Sequence, residues 1–208
     1  MAPLIELRIR LLNLIQCGPM MDTRAFLKLT GLLGFIVMII AGSIYVVYVV
    51  IPAAAPLIKA KLSSEGISIS QGEISTIMSI MDTIIPIVLA IASFIAWLIS
   101  SAVLWALLKA FKINNRFMET WLLTGNAFYL SVVQTAVTAA TPLLKYAITI
   151  VVEHKTQPPL LAIGLAFALL SAVLLAYIFS RAYGVGMART LAPTLVASLI
   201  FWAISAVA

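Results

Sequence analysis

Residues 84–108, IIPIVLAIASFIAWLISSAVLWALL, run for 25 positions without one charged side chain. A helix of that length reaches ~37 Å at 1.5 Å per residue, more than the ~30 Å of hydrocarbon in a bilayer. A membrane β-strand would need only ~10 residues and would alternate strictly, which this stretch does not. It reads as a transmembrane helix. Four more runs, at 29–51, 122–144, 160–179 and 191–207, have comparable length and apolarity. The expected fold is all-α: a polytopic membrane protein with five transmembrane helices in a bundle. No segment outside these runs approaches the ~50 residues of a further domain, so residues 1–208 are expected to form one membrane domain.

Composition agrees with that reading. The chain is 63% hydrophobic and 10% charged, whereas a soluble domain carries about 25% charged residues. Its cations are unevenly placed. Five spans put the N-terminal segment (Arg8, Arg10, Arg24, Lys28), the connection holding Lys109, Lys112 and Arg116, and the connection holding Arg181 and Arg189 on one side. The other side receives Lys59, Lys61, Lys145 and Lys155. Because cytoplasmic loops retain Lys and Arg, the N-terminus is expected inside and the C-terminus outside. The net charge of +6 then belongs to headgroup anchoring, with the bilayer as partner and no nucleic acid.

Outside the spans, PLIELRIRLLNLIQ at 3–16 suits a short N-terminal interfacial helix, broken by Gly18 and Pro19. Leu11 to Ile15 is too short for a signal-peptide core, so the first span is expected to remain in the mature protein. Asp22 is positioned to cap the next helix. Ser70-Gln71-Gly72-Glu73 has capping-box spacing, which starts a helix near Glu73 that Pro86 should kink. Lys109 to Trp121 reads as a basic loop, and Gly184 and Gly186 mark a turn before a last helix with Pro193 in its first turn.

Two internal patterns stand out. Thr124, Ser131, Gln134, Thr135, Thr138 and Thr141 form a polar stripe on the third span, which lipid cannot satisfy. Asn126 lies off its centre. Gly164, Ala168, Ala172, Ala176 and Ser180 recur every four residues on the fourth span, a ladder that permits close helix-helix approach.

Chemistry-bearing residues are sparse. Cys17 and His154 are each alone and fall on opposite predicted sides, which excludes a Cys-His pair. Carboxylates could pair only among Glu65, Glu73, Asp82 and Glu153, where a solvated loop explains them. The spans have charge-free interiors, which leaves ion-coupled transport unsupported. No catalytic residue, cofactor or metal site is expected, and the chain is not expected to be an enzyme.

Three stretches carry a family resemblance. IASFIAWLISSAVLWALLKAFKINNRFMETWLLTGNAFYL at 91–130 is an apolar span, a short basic loop and a helix with an aromatic-small-aromatic patch near its start. YIFSRAYGVGMARTLAPTLVASLIFW at 177–202 links two spans through a glycine-containing turn and places a proline just inside the last. The short N-terminal amphipathic segment, Pro19 and Phe26 precede span one. Together they resemble the Yip family of five-span membrane proteins, in its prokaryotic form. The resemblance implies a cytoplasmic N-terminus, an external C-terminus, a prokaryotic plasma membrane and no catalysis. The acidic-aromatic N-terminal motif of the Rab-binding members is absent, and Tyr129 to Val133 lacks the proline expected near the third span's start, so GTPase binding is not carried over.

The expected function is a non-enzymatic scaffold or an assembly or trafficking-type factor, meeting itself or a membrane-protein partner. Its contacts would use Gly164, Ala168, Ala172 and Ala176 together with Arg116, Arg181 and Arg189. Two alternatives are a small oligomeric pore or permease lined by the stripe with Gln134, and an accessory subunit of a larger membrane complex.

Overall fold

A computed structural model describes residues 22–64, 71–153 and 157–207. The expected interfacial helix at 3–16, Cys17, the Gly18-Pro19 break, Ser70, Glu65 and His154 lie outside them. All regular structure among the described residues is helical. Helices α1 (Thr23–Tyr45) and α2 (Ile51–Ser64) are joined by a π turn at Val46–Val50. Then follow α3 (Gln71–Ala110), α4 (Phe117–Thr124), a 3-10 turn (Gly125–Ala127), α5 (Phe128–Ala140), α6 (Leu143–Glu153), α7 (Pro158–Tyr183) and α8 (Met187–Val207).

Four helical runs among the described residues are long and apolar enough to cross a membrane: Thr23–Ser64, Ser79–Ala110, Pro158–Tyr183 and Met187–Ile204. Much of their apolar surface points outward. Ile87, Ile91 and Ile95 repeat every four residues on α3 and are each about half exposed, as a face turned to lipid should be.

Several boundaries differ from the sequence expectation, each for a local reason. The first run does not end near residue 51. Ile51 N–H donates to Val46 O, five residues back, so the ladder has already slipped when Pro52 arrives without an N–H. The supposed loop from Lys109 to Trp121 is shorter, because α4 begins at Phe117. The third run is likewise shifted, from 122–144 to Phe117–Ala140, and it is tightened by the 3-10 turn. It stops where Thr141 becomes extended (φ −124°, ψ 170°), the backbone that Pro142 imposes on its predecessor. Pro158 and Pro159 open α7, where a missing N–H costs nothing. Pro193 sits inside α8 instead of in its first turn, since that helix starts at Met187; it leaves the Arg189 carbonyl without a helical partner.

Asp22 caps α1 as expected, its carboxylate accepting from Arg24 N–H at 3.2 Å. The turn after α7 is a glycine cap: Gly184 has φ 65° and Val185 N–H closes on Ser180 O at 3.2 Å. α7 and α8 run antiparallel. Thr190 Oγ1 donates to Ala176 O at 2.7 Å near one end, and Trp202 Nε1 donates to Leu161 O at 3.1 Å near the other. Leu104, Leu108, Leu123, Leu175 and Phe179 bury themselves between α3, α4, α7 and α8.

Candidate functional site

The charged residues converge at the end where α1 and α4 begin and α7 finishes. Glu119 on α4 accepts from Arg24, and from Lys28 Nζ at 3.0 Å, both on α1 one turn apart. The Arg24 guanidinium also lies 5.2 Å from the centroid of the Tyr183 ring at the end of α7. Thr120 joins the same knot. Its hydroxyl donates to Arg116 O, and it accepts from Asn115 Nδ2 at 2.9 Å while Tyr183 OH stands 3.4 Å away. Arg24 and Lys28 were read as headgroup anchors; here they are partners of a carboxylate.

The Glu119→Gln variant should be weaker at neutral pH by about 1 kcal/mol, the scale of a part-exposed ion pair. Thermal unfolding in detergent measures the loss, and an unchanged midpoint would remove the clamp as a stabilising contact.

The three candidate arginines have separate fates. Arg189 caps the end of α3, donating to Lys112 O at 3.0 Å and reaching Phe111 O at 3.4 Å. It is a structural tether. Lys112 itself holds a left-handed φ of 58° in that closure, with Ile113 N–H on Leu108 O at 3.0 Å. Arg181 lies over Tyr177, 5.4 Å from the ring centroid, and is exposed. Arg116 precedes α4, also exposed.

The polar stripe divides into three groups. Thr124 is buried in a knot with Trp97 and Ser101: Trp97 Nε1 donates to its hydroxyl at 3.0 Å, and Ser101 Oγ lies 2.7 Å from it. Thr135, Thr138 and Thr141 return their hydroxyls to the carbonyls of Ser131, Gln134 and Val137, four residues back. Such back-bonding satisfies a hydroxyl within its own helix and removes the need for a protein or water neighbour. Ser131 and Gln134 alone of the stripe join Thr124 on the wall of a cavity of about 360 Å³ between α3, α5, α7 and α8.

The ladder is mostly an internal seam. Ala172 and Ala176 are fully buried, and Ala176 O receives the Thr190 hydroxyl of α8. Gly164 faces the Trp202 ring, and Ala168 lines the cavity. Ala172 and Ala176 are therefore not free for a partner: α8 already covers them, because two spans joined by a three-residue turn meet before any second protein does.

A closer contact was missed in the sequence. A Cβ on Gly31 of α1 would overlap Leu122 O, one on Gly125 would overlap Gly31 O, and one on Gly34 would lie 2.6 Å from Gly125 O. Backbone meets backbone here. Asn126 Nδ2 donates to Leu27 O at 2.9 Å and Tyr129 OH to Thr30 O at 3.1 Å, so the crossing is hydrogen-bonded on both flanks. The signal was present as two glycines three apart on span one, facing a Gly-Asn pair.

No protein-family model matches the chain, and neither does any curated protein or solved structure.

Proposed function

We propose that this is a non-enzymatic, five-span membrane scaffold of Yip-like type, with its N-terminus in the cytoplasm, whose basic end meets a membrane-protein partner. One observation carries the reading: the charged ends of α1, α3, α4, α7 and α8 are tied to one another by the Glu119 clamp, the Arg24–Tyr183 contact and the Arg189 tether. A chain that returns to one end at residues 24, 112, 119, 183 and 189 has to travel out and back between them. Between 119 and 183 the outward leg is α4, the 3-10 turn and α5, whose 24 residues cover roughly 36 Å at helical rise, enough for a fifth span. The gathered cations favour that end as the cytoplasmic one, which supports a C-terminus outside; the prokaryotic plasma membrane rests on the Yip-like resemblance alone.

With Ala172 and Ala176 covered, the partner surface falls to Arg116, Arg181 and the exposed residues beside them. A full chain with Cys17→Ser and a new cysteine at Met118 should react with an impermeant thiol reagent only after lysis, whereas one at Lys59 should react in intact cells. Reversed accessibility would overturn the orientation. Mild-detergent co-purification should then recover a stoichiometric membrane-protein partner, and Arg116→Glu with Arg181→Glu should release it. Partner-free protein in native-lipid particles would count against the scaffold.

A further inference from the structure

The cavity holds a combination that the helices around it do not explain. Its volume, about 360 Å³, is within the range of small-molecule sites, which pair a mainly apolar wall with a few polar groups. Trp97, Phe128, Phe167, Phe201 and Trp202 supply the apolar wall. Ser131, Gln134, Ser171 and Ser198 supply the polar groups, and no side-chain hydrogen bond joins any of these four to the described residues. The contrast with their neighbours is informative. Thr135 and Thr138 on the same helix, and Thr190 and Thr194 on α8, all return their hydroxyls to nearby carbonyls. Among the described residues, no charged side chain lines the cavity.

Depth and charge together choose the occupant. Gln134 lies six residues before the end of α5, and Gly164 six residues after the start of α7, so the cavity begins roughly 9 Å inside the outer helix ends and extends towards the middle of the spans. At that depth an unpaired amide or hydroxyl is costly. A wall whose described side chains carry no charge fits a neutral headgroup better than a phosphate. We infer that the cavity binds a neutral, hydroxyl-bearing lipid of the monoacylglycerol class, its chain against the aromatic wall and its hydroxyl or ester oxygens bonded to Gln134 and the serines. This goes beyond the scaffold reading and does not depend on a protein partner.

The test uses the full chain in phosphatidylcholine nanodiscs and a monoacylglycerol carrying a diazirine in its acyl chain, with crosslinks mapped by mass spectrometry. Labelling should concentrate on segments around Ser131–Gln134 and Phe167–Ser171, and excess unlabelled monoacylglycerol should compete it away. Gln134→Leu should weaken that competition about fivefold, the scale of one neutral hydrogen bond. Ser171→Phe, which fills the cavity, should abolish the label there while leaving it on the outward face of α1 at Ile36 and Ile40, a control for intact insertion. A phosphatidylcholine with the same diazirine chain should label the outer faces without saturating. Equal cavity labelling by both probes, labelling that does not saturate, or labelling indifferent to Ser171→Phe would each overturn the inference.

Discussion

Gly125→Ala is expected to cost about 3 kcal/mol or more. The added carbon would meet the Gly31 carbonyl oxygen, carbon and Cα, all backbone atoms with no rotamer to yield. The only relief is for α1 and the α4–α5 run to move apart. That displacement stretches every bond crossing the seam at once: Asn126 to Leu27, Tyr129 to Thr30 and the Arg24–Glu119 clamp. In lipid the loss is not softened by a hydrophobic drive to re-pack, because an apolar helix face is as content beside acyl chains as beside another helix; close packing and interhelical hydrogen bonds hold the pair. Gly186→Ala provides the control, since no atom lies within 4 Å of its would-be Cβ. It should change stability by no more than about 0.5 kcal/mol. Unfolding midpoints in a detergent titration would measure both, and equal losses would refute the seam as the cause.

The glycine seam also shows where sequence reading stops. Helices and their approximate places follow from the length of the apolar runs, and the cap at Asp22 and the glycine turn at Gly184 follow from local stereochemistry. Each of these is decided within a few residues of its own position. What Gly31 touches is decided 94 positions away at Gly125, and nothing in either segment names the other. The ladder on α7 looked like a surface for a partner for the same reason: four-residue spacing says that a helix can approach closely, not which one does. Hydroxyls are harder still. Thr124, Ser131 and Thr135 lie on one helical stripe, yet one is knotted to a tryptophan, one lines a cavity and one bonds its own backbone. A single rotamer choice, set by neighbours from other helices, separates those outcomes. Arg24 and Lys28 were misjudged because Glu119 lies in a different connection.

Trp97→Ala should produce the second large effect, about 3 kcal/mol. Trp97 is 2% exposed and stacks on Phe35 at 4.4 Å between centroids, with Trp121 at 4.7 Å and Phe128 at 5.7 Å. It thereby joins α1, α3, α4 and α5 through one ring system. Deleting it forfeits dispersion contacts on every side, and the rigid crossing at Gly31 and Gly125 prevents those helices from collapsing into the space. The indole N–H contributes separately, through its 3.0 Å bond to Thr124. Trp97→Phe keeps most of the ring contacts and loses only that bond, so it should cost about 1 kcal/mol. Thr124→Val should cost more than Trp97→Phe, because it strands the indole N–H in an apolar interior, while Ser101 keeps its 2.6 Å bond to Trp97 O. In a double-mutant cycle the pair Trp97→Phe and Thr124→Val should be less than additive, since each removes the same bond. Equal losses for Trp97→Phe and Trp97→Ala would transfer the stabilisation from ring packing to the hydrogen bond. Trp97 is also a wall of the cavity, so its alanine variant enlarges the site as it loosens the fold. Because Trp97 is part of the aromatic wall that holds the acyl chain, lipid labelling and stability should fall together in Trp97→Ala.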